Sequence, residues 1–76
     1  MINVTLIDET QVYYLHAEDV ICIKQGDMPT VLRKDYIIVY TTKGSLEIYD
    51  MSVKELHGLL SSGHAETIKN SFKKFF

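Results

Sequence analysis

The chain has 76 residues, a single cysteine, a formal charge of −2 and 46% hydrophobic residues. That length holds one domain with a thin core. The apolar content exceeds that of a disordered chain, and Cys22 has no second cysteine with which to form an internal disulfide. No apolar run reaches the roughly 20 residues needed to span a bilayer. The opening Met1-Ile2-Asn3-Val4-Thr5-Leu6-Ile7 has no basic segment and runs into Asp8-Glu9, unlike a signal peptide. A lone thiol without an export signal points to the reducing cytoplasm.

Residues 2–7 alternate Ile2, Val4 and Leu6 with Asn3 and Thr5, which predicts a first strand. Asp8-Glu9-Thr10 is a polar break. Val12-Tyr13-Tyr14-Leu15 is β-branched and aromatic and predicts a short second strand. His16 to Asp19 interrupts it. The apolar run Val20-Ile21-Cys22-Ile23 predicts a buried strand, with Cys22 as a structural core thiol. Gln25-Gly26-Asp27-Met28-Pro29 is a loop: Gly26 is conformationally permissive, and Pro29 lacks the N–H of a central strand.

The best-defined element is a hairpin over residues 36–49. Tyr36–Thr42 and Ser45–Tyr49 read as strands, with Lys43-Gly44 as a two-residue turn. That register sets Thr41 against Leu46, Val39 against Ile48 and Ile38 against Tyr49. One face then carries Ile37, Val39, Leu46 and Ile48, suited to a core. The other carries Tyr36, Ile38, Tyr40 and Tyr49. Tyrosine combines contact area with a hydroxyl and is enriched at interfaces.

Ser52-Val53-Lys54-Glu55 fits a helix capping box, and Val53, Leu56, Leu59 and Leu60 form an apolar stripe behind it. Gly63 is a natural stop. Ala65, Ile68, Phe72, Phe75 and Phe76 then follow at helical spacing, predicting a second helix from about residue 65. The expected fold is therefore α+β: a small antiparallel sheet of about five short strands followed by two C-terminal helices. It forms a single domain, 1–49 mainly strands and 52–76 mainly helical.

Charge is uneven along this chain. Residues 1–19 hold Asp8, Glu9, Glu18 and Asp19 with no Lys or Arg, while residues 67–76 hold Lys69, Lys73 and Lys74 with no acid. Opposed ends of this kind can orient a partner or a second copy.

Catalytic constellations are missing from the sequence. There is no H-E-x-x-H, no C-x-x-C and no His pair at i, i+4 among His16, His57 and His64. The four glycines stand apart and form no phosphate loop. The reading is therefore of a chain that is not an enzyme and takes no cofactor, metal or small-molecule substrate. It is instead a small interaction or regulatory module, acting on itself as a homodimer or on another protein, with no membrane role. Tyr36, Ile38, Tyr40, Tyr49, Phe72, Phe75 and Phe76 are its candidate contacts.

Over residues 18–76 the order of segments resembles the LytTR DNA-binding domain of bacterial response regulators. Glu18-Asp19-Val20-Ile21-Cys22-Ile23 resembles that family's acidic pair leading into an Ile-rich strand. Ser52-Val53-Lys54-Glu55-Leu56-His57-Gly58-Leu59-Leu60 resembles its short leucine-rich helix. Thr67-Ile68-Lys69-Asn70-Ser71-Phe72-Lys73-Lys74 resembles the basic segment that follows. The resemblance implies a DNA-binding transcriptional regulator, with Lys69, Lys73 and Lys74 as the DNA contacts. The Lys-rich, free-standing character is also similar to that of small orphan proteins of phages and prophages of low-GC bacteria.

Overall fold

The computed structural model describes residues 3–26 and 35–75. Ile2 of the first expected strand, Asp27 to Pro29 of the expected loop, and Phe76 lie outside the described residues.

The chain alternates strongly enough to build two sheets. Asn3–Ile7 (β1) pairs antiparallel with Val12–His16 (β2) and parallel with Glu66–Ile68 (β6), giving a three-stranded sheet of order β2-β1-β6. A 3-10 turn at Ala17–Asp19 leads into Val20–Gln25 (β3). Then come Tyr36–Thr41 (β4), Gly44–Tyr49 (β5), the helix Val53–Ser61 (α1), β6 and finally Phe72–Phe75 (β7). β3, β4, β5 and β7 make a second, antiparallel sheet in that order.

The expected architecture is corrected at its C-terminal end. Seven strands in two sheets occupy the described residues, not five in one, and α1 is the single helix longer than a 3-10 turn among them. The segment expected to be the second helix forms β6 and β7. The physical reason lies in its neighbours. Thr67, Asn70 and Ser71 are weak helix formers, and so short a helix has little stability of its own. Edge positions beside β1 and β5 instead offer backbone partners, and pairing there places Phe72 opposite Ile48 in the core.

The hairpin keeps its faces but changes its register. Observed pairs are Thr41 with Gly44, Val39 with Leu46, Ile37 with Ile48 and Tyr36 with Tyr49. The loop residues are thus Thr42 and Lys43, one position before the expected Lys43-Gly44, and the pairing shifts by two. Gly44 follows them at φ 116, a conformation open to glycine, so it serves just after the turn rather than within it. A shift of one residue would have turned every side chain over; a shift of two preserves the faces. Ile37, Val39, Leu46 and Ile48 are accordingly fully buried.

The core joins both sheets and the helix. Val4, Leu6 and Leu15 from the first sheet meet the four hairpin aliphatics, Met51, Leu56 and Phe72. Helix α1 starts where expected: the Ser52 hydroxyl accepts from the Glu55 N–H at 3.2 Å and donates to the Glu55 carboxylate at 3.3 Å. Leu56 is fully buried, with Val53, Leu59 and Leu60 packed around it. The helix ends at Ser61 with Ser62 as its C-cap, followed by Gly63 at φ 81. Among the described residues no helix is long and apolar enough to cross a membrane.

Cys22 also departs from expectation. It is exposed, as is Ile21 at 67%. β3 is an edge strand, and a bulge between Val20 and Cys22 leaves only Val20 and Ile23 packed against the core.

Candidate functional site: the outer face of the four-stranded sheet

Strand registers fix which side chains share the face of the second sheet that points away from the core. Three rows cross it. The first is Cys22, Tyr40, Ser45 and Phe75; the second is Lys24, Ile38, Glu47 and Lys73. The third holds Tyr36 beside Tyr49, with the Tyr36 ring lying over Gly26. The four tyrosine-face candidates, Tyr36, Ile38, Tyr40 and Tyr49, therefore stand together as expected, and β7 adds Phe75 and Lys73. The pairing of β7 with β5, not a helix laid on the sheet, brings these two groups onto one face.

Within the face, Tyr36 and Tyr49 contact each other with centroids 6.2 Å apart and planes inclined at 42°. The Tyr49 hydroxyl donates to Glu47 Oε1 at 2.8 Å. Lys73 Nζ sits 5.5 Å from the centroid of the Phe75 ring. Tyr40 is 39% exposed and Phe75 44% exposed, while Tyr36, Ile38 and Tyr49 are half-buried.

The remaining candidates are placed elsewhere. Phe72 is 3% exposed and fills the space between the sheets, so it holds the fold and offers nothing to a partner. Phe76 is outside the described residues. The three lysines named by the DNA-binding resemblance do not form one patch. Lys73 is on the outer face; Lys74 is on the opposite face of β7, 6.0 Å from the Tyr13 ring centroid. Lys69 lies between β6 and β7.

Lys69 lines an open cleft of about 350 Å³ with Ile7, Asp8, Glu9, Asn70 and Ser71. The acidic N-terminal segment and the basic C-terminal segment thus meet inside one chain. Asp8 is fixed there by its role in the fold. In β7, Phe72 opposes Ile48, and its N–H and C=O point away from β5, as at a non-hydrogen-bonded pair. Asp8 Oδ2 accepts from the Phe72 N–H at 3.4 Å, and Gln11 Nε2 donates to the Phe72 carbonyl at 2.8 Å. Two side chains of the β1–β2 turn therefore stand in for a missing strand at this point of the sheet edge.

Desolvation pushes the Asp8 carboxyl up, but the Phe72 N–H, the Gln11 side chain and the N–H groups of Thr10 and Glu9 together outweigh it, holding the group below its ordinary 3.8. A folded-state value below the unfolded one means that the folded chain binds the proton less readily. The resulting stability is complete above about pH 4 and is lost as pH falls through the folded value. Asp8→Ala is expected to lower the urea midpoint at neutral pH, with the gap to wild type narrowing at about pH 3. A gap unchanged across that range would contradict the assignment.

His16 closes β2, His57 lies exposed on α1 and His64 lies exposed beyond it. Among the described residues no three His, Cys, Asp or Glu are grouped to hold a metal ion. No protein-family model matches the chain, and neither a curated protein nor a solved structure matches it.

Proposed function

We propose that the chain is a non-catalytic binding module whose contact surface is the outer face of the β3-β4-β5-β7 sheet. The observation that carries the reading is the first row of that face, where Tyr40 and Phe75 expose aromatic surface from two strands of one sheet. Large exposed aromatics grouped on one surface suit contact with a partner more than they suit a thin core. Replacing both by Thr, which keeps strand propensity, tests this. The double variant is expected to change unfolding free energy by less than about 1 kcal/mol. A loss of about 3 kcal/mol or more would mark the two rings as parts of the fold and overturn the reading.

A separate observation supports self-association through another surface. β2, the outer strand of the three-stranded sheet, is Val12-Tyr13-Tyr14-Leu15-His16 and carries no Lys, acid or Pro to discourage strand pairing. Val12 is 50% exposed and Tyr14 63% exposed. β7, by contrast, carries Lys73 and Lys74. Two copies would pair their β2 strands about a two-fold axis. Sedimentation equilibrium is expected to give a dimer that Tyr14→Lys converts to monomer. A concentration-independent monomer mass for the wild type would sink this part.

A further inference from the structure

We infer that the partner of the outer face is a single-stranded nucleic acid, crossing the sheet over its first two rows. The inference rests on the contact-surface reading above and names the partner's chemistry.

Charge decides between the occupants. The middle row reads Lys24, Ile38, Glu47, Lys73: a cation near each edge and one carboxylate between. Two copies packed face to face with their strands roughly aligned would match this row with itself. A two-fold axis along the strands sets Lys24 over the partner copy's Lys73; one across the strands sets Glu47 over its own mate. Both arrangements oppose like charges, which disfavours a second copy on this face. A polyanion crossing this row meets two cations and one carboxylate, with Glu47 lying between the phosphates that Lys24 and Lys73 would hold. Lys24 and Lys73 are exposed and stand three strands apart, roughly 14 Å. Between them Glu47 already accepts the Tyr49 hydroxyl.

Aromatic placement adds the second half of the argument. A single strand exposes base faces, and aromatic side chains on an open sheet are a sequence-tolerant surface for them. Tyr40 and Phe75 lie in one row, two strand spacings or about 10 Å apart, so each can take a separate base. Lys73 Nζ lies over the Phe75 ring, 5.5 Å from its centroid, so a base taking that ring displaces or shares it with the cation. Duplex bases are stacked on each other and offer this flat face only their phosphates. At the far end of the sheet Asp35 precedes Tyr36 and Asp50 follows Tyr49, joined by the Asp50 N–H donating to the Asp35 carbonyl at 2.8 Å.

The test is fluorescence anisotropy of labelled oligothymidylate, oligouridylate and a duplex of equal length, titrated with the full chain at two salt concentrations. Binding is expected to be tighter for single strands than for duplex, and the two single-stranded probes separate DNA from RNA preference. Tyr40→Ala and Phe75→Ala should each weaken single-strand binding by about 5- to 150-fold. Lys73→Gln should reduce the slope of log affinity against log salt by about 0.7. Circular dichroism of each variant establishes that the fold is retained. No binding by the folded wild type, equal binding of duplex, or binding indifferent to both ring substitutions would each overturn the inference. So would a two-chain mass that Tyr40→Ala reduces to one, which would give the face to a second copy. None of these outcomes touches the Tyr40, Phe75 double-Thr stability result, so failure of the nucleic-acid assignment and failure of the contact-surface reading are told apart.

Discussion

Phe72→Ala is expected to cost about 3–5 kcal/mol of unfolding free energy, whereas Phe75→Ala, three residues on, should cost less than about 1 kcal/mol. Both phenylalanines sit in one four-residue strand. Alternation along β7 sends Phe72 inward, opposite Ile48, and Phe75 outward, opposite Ser45. Deleting the inner ring leaves a cavity lined by residues of both sheets, and a thin core has little means to collapse onto it. A small domain has a total stability near the low end of the usual range, about 5 kcal/mol, so the Phe72 variant should be largely unfolded in mild urea. Equal costs for the two substitutions would be the signature of a shared helical or disordered environment and would contradict the strand.

Leu56→Ala carries the second large effect, about 2–5 kcal/mol. Leu56 is the one fully buried side chain of α1, and the helix packs against β1 and β3, strands of different sheets. Truncating it loosens the joint between the sheets as well as the helix. Urea unfolding followed by circular dichroism measures the cost. A loss below about 1 kcal/mol would mean that α1 is an appendage rather than part of the core.

Where the chain's own local pattern decides, the sequence is informative. Period-two alternation in Ile37, Val39, Leu46 and Ile48 identified the core face of the hairpin, because strand geometry ties side-chain direction to residue parity. Ser52 and Glu55 located the start of α1, because capping is a contact across three residues. The expected turn lies one residue late, and the pairing two out of register, because Gly44 reads as a turn residue, whereas its positive φ belongs just after the loop.

The C-terminal segment was misread for a different reason. Ala65, Ile68, Phe72 and Phe75 fall at helical spacing only because two short strands are separated by Lys69-Asn70-Ser71, which shifts the phase of the alternation. What makes them strands is distant: Leu6 beside Ile68 and Ile48 beside Phe72. Pairings across more than twenty residues leave no local signature. Cys22 shows the same limit on a smaller scale. An apolar run looks buried, but the bulge after Val20 and the position of β3 at the sheet edge turn Ile21 and Cys22 to solvent.

The candidate site inherits both outcomes. Its tyrosine half is legible, since Tyr36 and Tyr40 share parity with Ile38 and the hairpin turn brings Tyr49 to the same face. Its Phe75 and Lys73 half is not, because those residues reach the face only through the pairing of β7 with β5. Lys24 is not legible because nothing local ties the parity of a bulged strand to the hairpin beside it.

The central claim is that β7 completes this face, and cross-strand proton contacts measured by NMR test it most directly. Residues 48 with 72 and 46 with 74 are the close, non-hydrogen-bonded pairs of β5 and β7, with Cα atoms about 4.5 Å apart. The structure requires strong Hα–Hα contacts between Ile48 and Phe72 and between Leu46 and Lys74. Their absence, with helical contacts three residues apart running from Ala65 to Phe75, would dismantle the face and the function proposed for it.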